Sequence, residues 1–509
     1  MKFVIQLKNL KTFLSLLLQQ KHIIQQQQNN KYMCGIVGFF GQNDVVYDLV
    51  FGLTALQHRG QDAAGIITFK ERFHIKKGLG LVSNVFEEKH LKRLKGKIGI
   101  GHVRYTTQGS NDMENAQPFA ANYPFGISMV HNGNVTNFKE LRKSLYEEYH
   151  ILPETTNDLE LILYTLASEL QQKDLKKINH IDIFDAVEST QQKVKGAYST
   201  ITVIANHGLL AFADPHGIRP LVFGKRETKD GTVYAFASET TCFDYLEYEV
   251  IENLKAGQAI FIDNDGNVFR KNCHKKEEAF CIFEHIYFAR EDSVIYDRLV
   301  ASERVKMGKI LAKKVHIMGL EPDVIIDVPS SGYFAASGLA EALGVPYRRG
   351  FVKNNHIGRT FISPTQKERE SMVKKKLNPI REVVAGKKVA VVDDSIVRGT
   401  TSRRIVKTLK KAGAAEVYFV SAAPPIKHPC VYGIDMAITT ELIASTKTHI
   451  AIRDYIGADA LIYQSLDDLK SLYKDFSACY ACFTGDYPIE GSKKVLAEIE
   501  AERLVAKEI

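Results

Sequence analysis

The sequence predicts a protein of mixed α/β and α+β class with more than one domain, and three observations support this prediction. The chain has 509 residues, of which 45% are hydrophobic and 25% charged, as in a globular protein long enough for two or three domains. In the N-terminal half, short apolar strands alternate with glycine-rich turns up to about Gly266. In the C-terminal half, apolar runs end in polar turns that open helical segments, which is typical of parallel sheets.

Residues 1–33 form an extension whose composition differs from the rest of the chain. The extension carries five lysines and no acidic residue, and removing these five charges from the total of +8 leaves +3 for residues 34–509. A lysine-bearing apolar start followed by the glutamine-rich run Gln25–Asn30 predicts a disordered, dispensable segment. Because the extension has no arginine and no small-residue cleavage site, its targeting value stays open, and we expect a cytoplasmic location.

The rest of the chain favours small-molecule chemistry over membranes or nucleic acids. No later segment has the roughly 18 continuous apolar residues of a membrane span. The small positive surplus is gathered in one loop, where a polyphosphate substrate explains it at least as well as DNA or RNA. We therefore expect no membrane and no nucleic-acid partner.

The most informative segment is residues 389–402, where an apolar run ends in two adjacent carboxylates. Val389–Val392 predicts a buried parallel strand, and the small residues after Asp393 and Asp394 lead into a predicted helix, Arg403–Lys411. Ligands bind at the carboxyl ends of parallel strands, where small turn residues and a helix N-terminus suit a phosphate. The two carboxylates suit a pair of hydroxyls or Mg²⁺. A purely structural turn with two exposed aspartates is the alternative.

This segment resembles the phosphoribosylpyrophosphate (PRPP) motif of the type I phosphoribosyltransferases. The resemblance implies an α/β domain of that type, placed at residues 279–470, with Mg²⁺ held by Ser331, Asp393 and Asp394. The family usually has Asp or Glu where this chain has Ser330, which is a departure at the cation site. The implied PRPP contacts are Lys353, Arg359, Asp393, Asp394, Ser395, Arg398, Gly399, Thr400 and Thr401.

The basic residues between Lys353 and Lys376 allow two interpretations. A basic run is often only a solvated face. Here the run lies between two strands predicted to bind substrate, and Gly358 offers a hinge. The second interpretation is therefore a lid that closes over pyrophosphate and excludes water.

The globular region begins with a cysteine. Three short polar segments that contain glycine or histidine follow it along the chain. Alone, Cys34 would more often be a buried small hydrophobe than a nucleophile. Together with it, the segments resemble the glutaminase domain of the N-terminal-nucleophile amidotransferases, which implies an αββα sandwich, placed at residues 34–270. The segments are Arg59–Asp62, His102–Arg104 and His131–Asn134.

Because the PRPP motif follows this domain in the sequence, residues 34–490 as a whole resemble the amidophosphoribosyltransferase family. The resemblance implies glutamine-dependent conversion of PRPP to 5-phosphoribosylamine, the first committed step of purine synthesis. Glutamine and PRPP would be the substrates, and purine nucleotides the feedback inhibitors. The family implies a homo-oligomer, a tetramer. Residues 471–509 would form a C-terminal segment with a cysteine pair and a helix.

The resemblance assigns the catalytic roles in the glutaminase half. Cys34 would attack glutamine, and the Asn132 side-chain amide and the Gly133 backbone N–H would form the oxyanion hole. A cysteine at a chain start has its own base, because a free α-amine has a pKa of about 7.7–8.0 and can accept the thiol proton. That amine exists only after Met33 and everything before it are removed. The mature chain is therefore predicted to begin at Cys34.

The resemblance also assigns the glutamine-binding residues. Arg104 would clamp the α-carboxylate of glutamine, and Asp158 would pair with its ammonium group. Arg59 and Tyr105 would organise this pocket, with an ordinary structural role as the alternative for both. Two nearby histidines are assigned to the scaffold because the mechanism needs neither of them: His102 and His131.

Seven cysteines in a chain without a convincing signal peptide favour thiol or metal chemistry over a disulfide scaffold. The resemblance to the iron–sulfur branch of the family implies that four of them hold a [4Fe–4S] cluster, with Zn²⁺ in a Cys₄ site as the alternative. Those four are Cys281, Cys430, Cys479 and Cys482. Cys242 and Cys273 are interpreted as packing or surface residues.

Two other functional classes are weighed against this one. Sugar-isomerising and asparagine-forming amidotransferases share a cysteine-first glutaminase half, but their reactions do not use PRPP, so the Asp393–Thr401 segment argues against them. A regulatory protein that senses PRPP would need a DNA-binding module, and the N-terminal half carries the glutaminase residues instead.

Overall fold

The computed structural model describes residues 33–105, 113–353, 377–434 and 438–508, with side chains up to residue 501. Three predictions lie outside the described residues: the disorder of Gln25–Asn30, the hinge at Gly358 and the PRPP contact Arg359. Among the described helices, none combines the length and the apolarity that crossing a membrane would require.

The described N-terminal half is built on two antiparallel sheets. One has seven strands in the order β11, β9, β10, β1, β4, β2, β3, and the other has six in the order β13, β12, β8, β7, β6, β5. The strands are β1 Gly35–Phe40, β2 Ala63–Phe69, β3 Phe73–Leu79, β4 Ile98–Arg104, β5 Phe119–Ala121, β6 Ile127–Val135, β7 Gly196–Ile204, β8 Gly208–Ala213, β9 Val222–Thr228, β10 Gly231–Ala237, β11 Glu249–Asn253, β12 Gln258–Asp263 and β13 Val268–Asn272.

The two sheets pack face to face, with helices on both outer faces. The helices of this half are α1 Val46–Ala55, α2 Val82–Val85, α3 Glu88–Leu91, α4 Phe138–Tyr149, α5 Asp158–Gln171, α6 His180–Lys193 and α7 Thr241–Leu246. Helices α1 and α7 cover the seven-stranded sheet, and α5 and α6 cover the six-stranded sheet. Every residue of β1 and of β7 is buried, because one face of each strand meets the other sheet and the opposite face meets helices. This arrangement confirms the αββα sandwich.

The described C-terminal half contains a parallel sheet in the order β17, β20, β21, β22 and three short two-stranded pairs. Its strands are β14 Phe280–Cys281, β15 Val294–Ile295, β16 Arg298–Leu299, β17 Val324–Asp327, β18 Phe351–Lys353, β19 Leu377–Pro379, β20 Lys388–Asp393, β21 Glu416–Ser421, β22 Ala460–Tyr463 and β23 Ala478–Cys479. Its helices are α8 Val300–Ile317, α9 Tyr333–Leu343, α10 Arg381–Val384, α11 Thr400–Lys411, α12 Ile443–Thr446, α13 His449–Ile456, α14 Leu466–Ser471, α15 Ala481–Thr484 and α16 Ser492–Glu508, and Glu284–Phe288 forms a π-helical turn.

The strand predicted at Val389–Val392 is confirmed. It lies within β20 and pairs in parallel with β17 and β21 at the centre of the sheet. The helix predicted over Arg403–Lys411 is also confirmed, but α11 begins three residues earlier, at Thr400. The earlier start follows from Gly399, whose φ of 74° lets the chain turn directly into the helix.

Candidate active site

Cys34 lies directly before β1, at the edge of the sheet where β4 ends. Antiparallel pairing places Gly35 opposite Val103, so the cysteine lies next to Arg104 and Tyr105. The half-buried thiol lies 3.7 Å, sulfur to oxygen, from the Tyr105 carbonyl oxygen. Removal from water raises the pKa of the Cys34 thiol, although the nearby Arg104 guanidinium opposes this effect. A thiol in this state is a weak nucleophile, so it needs a base to act at neutral pH.

Asp158 begins α5 and faces the same pocket. Its Oδ2 accepts a hydrogen bond of 2.9 Å from the Val135 N–H and lies 3.2 Å from the His131 Nε2. Burial by itself disfavours the charged carboxylate, but the His131 ring and these hydrogen bonds leave the pKa of Asp158 below its usual range. A buried carboxylate that stays ionised is suited to pair with the ammonium group of an amino acid.

Asn132 and Gly133 lie near the end of β6, next to His131. Asn132 is 1% exposed, and its Nδ2 has no hydrogen-bond partner within the described part of the chain. Leaving such a donor buried and unpaired costs roughly 1–3 kcal/mol, so its retention needs a reason. Gly133 has a φ of 152°, and a Cβ there would strike the Ala197 carbonyl oxygen. These features fit the predicted oxyanion hole, because a developing negative charge would satisfy the unpaired amide.

Replacing Asn132 with alanine is expected to lower kcat for glutamine hydrolysis by about 10²–10³-fold, because one oxyanion-hole donor is lost. Steady-state kinetics of glutamate release would measure this effect. Asn137→Ala is the matched control, because within the described chain the hydrogen bonds of the Asn137 side chain go to backbone groups of Lys193 and Lys195, at and just after the end of α6. Equal losses in the two variants would contradict the assignment of Asn132.

The two histidines predicted to belong to the scaffold differ in their surroundings. His102 is completely buried, neither ring nitrogen has a hydrogen-bond partner within the described residues, and burial lowers its pKa well below the usual range. His131 lies between Asp158 and Gln117, whose Nε2 is 2.8 Å from the His131 Nδ1. Their described hydrogen bonds do not include Cys34, so their assignment to the scaffold stays as predicted.

Arg59 is fully buried, and its donors are committed to protein groups. Its Nε donates a 2.9 Å hydrogen bond to the Cys34 carbonyl oxygen, and its two terminal nitrogens bond Glu239 and Glu284. Arg59 therefore holds the backbone of Cys34 through its carbonyl oxygen, and its role in organising the glutamine pocket stays a prediction. Neither glutamate was predicted from the sequence, because they lie 180 and 225 residues from Arg59 and belong to no recognisable motif with it.

The second pocket lies at the carboxyl end of β20. Asp393 and Asp394 are 7% exposed, the Ser331 hydroxyl lies 3.4 Å from the Asp393 Oδ1, and the Ser395 hydroxyl bonds the Asp394 carboxylate. The structure thus brings together the three residues predicted to hold Mg²⁺. No group of three or more His, Cys, Asp or Glu side chains in the described part of the chain is already arranged as a metal site. The oxygen donors nevertheless suit Mg²⁺, which keeps several waters and substrate phosphates as ligands.

The remaining predicted PRPP contacts differ in position. Thr400 and Thr401 are exposed at the N-terminus of α11, where backbone N–H groups suit a phosphate. Arg398 pairs with Glu441, with an Nη2–Oε2 distance of 2.7 Å, so a phosphate would have to share or replace this partner. Lys353 is exposed at the end of β18.

The four cysteines of the predicted cluster converge in space. Parallel pairing of β14 and β23 sets Cys281 opposite Cys479, and the Cys482 carbonyl oxygen accepts hydrogen bonds from the segment that leads to Cys430. All four are free thiols that belong to or border one apolar cluster. Burial raises the pKa of Cys281 to about 12, so it would ionise only beside a cation. The four sulfur donors are of the type that an iron–sulfur cluster or zinc takes, but in the described chain they are not arranged as a metal site, so the cluster stays a prediction.

Cys242 and Cys273 lie elsewhere. Cys242 belongs to the apolar core between α1, α7 and the seven-stranded sheet, and Cys273 borders the core of the six-stranded sheet. Both thiols are buried, and burial raises the pKa of each above the usual range. Their positions agree with packing roles.

One segment of the C-terminal half packs against the oxyanion-hole strand. The Asn134 Nδ2 donates a 2.8 Å hydrogen bond to the Val431 carbonyl oxygen, and Arg219 bonds the Tyr432 carbonyl oxygen. A Cβ on Gly433 would lie 3.0 Å from the Gly133 carbonyl, so the two backbones are in close contact. The two halves therefore meet at the glutaminase pocket.

The two folds and their pockets define a glutamine amidotransferase joined to a phosphoribosyltransferase. Comparison with known proteins agrees: residues 102–245 match the glutamine amidotransferase domain model, and residues 297–431 match the phosphoribosyl transferase domain model. The chain belongs to the amidophosphoribosyltransferase family, whose members carry out glutamine-dependent amidotransfer to PRPP in purine biosynthesis. The family, fold class and reaction predicted from the sequence are thereby confirmed.

The similarity extends over nearly the whole described chain. The chain is 47% identical to the amidophosphoribosyltransferase of Escherichia coli (strain K12) over 443 residues, which are 86% of this chain and 88% of the relative. It is 44% identical to the chloroplastic amidophosphoribosyltransferase 2 of Arabidopsis thaliana, covering 90% of this chain and 79% of the relative. A solved glutamine PRPP amidotransferase from B. subtilis, complexed with ADP and GMP, superimposes with a TM-score of 0.80 at 38% identity, covering 90% and 98% of the two chains.

Proposed function

We propose that glutamine is hydrolysed at Cys34 and that the released ammonia is transferred to PRPP at the pocket around Asp393. One observation carries this proposal: a thiol pocket with a buried, unpaired amide donor and a strand-end phosphate loop lie in two halves that contact each other. In the proposed first step, the Cys34 sulfur bonds to the side-chain carbonyl carbon of glutamine, and Asn132 and Gly133 stabilise the oxyanion. The C–N bond then breaks, ammonia leaves, and water hydrolyses the thioester to glutamate.

The proposed base is the α-amine of Cys34 itself. In the uncleaved chain Met33, which is 1% exposed, precedes Cys34. The Cys34 nitrogen is therefore part of a peptide bond and cannot accept a proton. Cleavage before Cys34 would create an amine with a pKa of about 7.7–8.0, partly neutral at physiological pH. That amine takes the thiol proton and returns it to the departing nitrogen. N-terminal sequencing of active enzyme should begin at Cys34, and an intact Met1 on active chains would exclude this mechanism.

In the second half of the proposed reaction, ammonia displaces pyrophosphate from C1 of PRPP with inversion. The turn before α11 binds the 5′-phosphate, since its backbone N–H groups and the helix N-terminus favour an anion. Ser331, Asp393 and Asp394 would hold Mg²⁺, which would supply charge neutralisation at the pyrophosphate. Lys353 and Arg359 belong to the basic lid proposed to close over this site.

We propose that Cys281, Cys430, Cys479 and Cys482 hold a [4Fe–4S] cluster with a structural role, because the overall reaction transfers no electrons. Their convergence and all-sulfur donor set support a cluster but also suit zinc. Anaerobically purified protein is expected to be brown and to contain about four iron atoms per chain for one [4Fe–4S] cluster. One zinc per chain without iron would contradict the proposal.

We propose that purine nucleotides inhibit the enzyme and that the chain forms a homotetramer. The nucleotide proposal is supported by the ADP and GMP bound in the similar B. subtilis enzyme, and the tetramer is a prediction from the family alone. The cytoplasm stays the predicted location. Because one relative is named chloroplastic, residues 1–33 are the segment to test for an organelle address, by fusing them to a fluorescent protein.

The proposed function is tested by measuring glutamate and pyrophosphate release together, with and without Mg·PRPP. Strong stimulation of glutamate release by PRPP, with near-equal amounts of the two products, is the expected result. Glutamate release that is indifferent to PRPP, with no pyrophosphate, would leave only the glutaminase half of the proposal standing.

A further inference from the structure

The backbone of Cys34 is anchored by a buried ionic cluster formed by Arg59, Glu239 and Glu284. Arg59 donates from Nε to the Cys34 carbonyl oxygen, with a nitrogen–oxygen distance of 2.9 Å. Its Nη1 and Nη2 donate to the Glu284 carboxylate at 3.1 and 3.0 Å, and its Nη1 also bonds Glu239. All three side chains are 0% exposed, and so is that of Arg219, whose Nη1 lies 3.7 Å from the Glu284 Oε1. A buried guanidinium is planar and fixed, so two carboxylates determine its orientation.

The two carboxylates are themselves held in place. Glu239 accepts hydrogen bonds from the Ser293 hydroxyl at 2.6 Å and the Arg290 N–H at 2.9 Å. Burial alone would raise the pKa of Glu239, but the adjacent His58 and Arg59 bring it well below the usual range. Glu284 begins the π-helical turn Glu284–Phe288 and therefore belongs to the C-terminal half. Both halves of the protein thus contribute to the anchor on Cys34.

The proposed cleavage before Cys34 explains why its backbone needs an anchor. Chain termini fray unless they are tied down. A cysteine that must act from the first position has lost its tether on the amino side, yet catalytic groups must stay within about 0.5 Å of the productive geometry. The Cys34 amine and thiol must both remain free to react. The carbonyl group is the part of the residue that can be held without blocking the chemistry, and Arg59 holds it.

We propose that Glu284, together with Glu239, is a positioning residue for glutamine hydrolysis: it locks Arg59 onto the Cys34 carbonyl and replaces the tether lost on cleavage. This inference rests on the proposed function of Cys34 as an N-terminal nucleophile. The cluster touches neither glutamine nor the reacting atoms in this assignment. The cluster affects the rate of the chemical step. The affinity for glutamine would depend instead on Arg104 and Asp158, which would bind the substrate.

The test compares two nitrogen donors in the processed enzyme, with both halves present, carrying Glu284→Gln. With glutamine and Mg·PRPP, kcat is expected to fall about tenfold to a hundredfold, as for other small misplacements of a reacting group, while the KM for glutamine changes less than about threefold. With ammonium chloride in place of glutamine, pyrophosphate release should be unchanged, because ammonia bypasses Cys34. Rates are expressed per chain that begins at Cys34, determined by N-terminal sequencing.

Further variants keep the test decisive if Glu284→Gln folds poorly. Arg59→Lys retains the charge but loses the planar fork, and it should lower the glutamine-dependent rate in the same way. The double variant Arg59→Lys/Glu284→Gln should lose no more glutamine-dependent activity than the more impaired single variant, because both changes disrupt the same anchor. Glu303→Gln is the matched control: Glu303 is a buried carboxylate paired with Arg298 and Lys306, and its loss should leave the ratio of glutamine-dependent to ammonia-dependent activity unchanged.

The outcomes separate the anchor from the underlying function. A wild-type enzyme without coupled glutamate and pyrophosphate release would overturn the proposed function. Coupled wild-type activity with an unaffected Glu284→Gln variant would overturn only the positioning role. Equal loss with glutamine and with ammonia in Glu284→Gln, Arg59→Lys and Glu303→Gln alike would reduce the cluster to general stabilisation and would also overturn that role.

Discussion

Replacing Cys34 with alanine is expected to lower glutamine-dependent formation of 5-phosphoribosylamine by about 10⁴-fold or more, because covalent catalysis loses its nucleophile. The pocket around the residue would persist, since Asp158 and the Arg59 anchor are held by contacts that do not involve the thiol. Glutamine should therefore still bind, and the loss should fall on kcat. Glutamate release measured under saturating glutamine and Mg·PRPP is the relevant assay.

Ammonium chloride provides the internal control for this variant. Ammonia added from solution should sustain pyrophosphate release by Cys34→Ala at the wild-type rate, because the PRPP pocket is formed by other residues. Cys242→Ala is the matched variant, since it removes a completely buried thiol from the same half without touching the pocket. Glutamine-dependent activity that survives in Cys34→Ala would exclude this cysteine as the nucleophile.

Local sequence determined the parts of the structure that depend on neighbouring residues. The strand at Val389–Val392 and the helix that follows were predictable because an apolar run, two carboxylates and small turn residues stand in immediate succession. The three-residue error at the start of α11 has a local cause as well. It depends on the positive φ of Gly399, and a glycine in a sequence is compatible with many backbone conformations.

Contacts between distant parts of the chain were not predictable in the same way. Arg59 was noticed as a loop residue, but Glu239 and Glu284 carry no periodicity or motif that links them to it. The same holds for Asn134 and Val431, whose contact joins the two halves across 297 residues. A buried ionic cluster is specified by the tertiary packing of several elements, and a single sequence records only the residue types that take part.

The cysteines show an intermediate case. Cys479 and Cys482 are spaced as a C-x-x-C pair, which suggests a metal or redox site by itself. Cys281 and Cys430 gain meaning only from the resemblance, and the structure sets Cys281 opposite Cys479 by pairing β14 with β23 in parallel. Because the two strands are two residues long, a change in their register would separate the thiols.

The second large effect is expected at the other pocket. Changing Asp393 and Asp394 together to asparagine should lower PRPP-dependent pyrophosphate release by about 10³-fold with either glutamine or ammonia, because several kcal/mol of charge stabilisation at Mg·PRPP are lost. Asparagine is nearly isosteric with aspartate and retains an oxygen that can accept the Asp394 backbone hydrogen bond of 2.9 Å and the Ser331 contact. The loss should therefore reflect charge and not a failure to fold.

Loss of activity with both glutamine and ammonia distinguishes this variant from Cys34→Ala, which should lose activity with glutamine but keep it with ammonia. Asp323→Asn is the control at the opposite end of the parallel sheet, where Asp323 accepts a 2.7 Å hydrogen bond from the Lys388 N–H. It removes one carboxylate charge directly before β17, away from the carboxyl edge of the sheet, so its pyrophosphate release should stay near the wild-type rate. If the double variant and Asp323→Asn were equally impaired, charge at this sheet would matter only for stability. The assignment of Asp393 and Asp394 to PRPP would then be wrong.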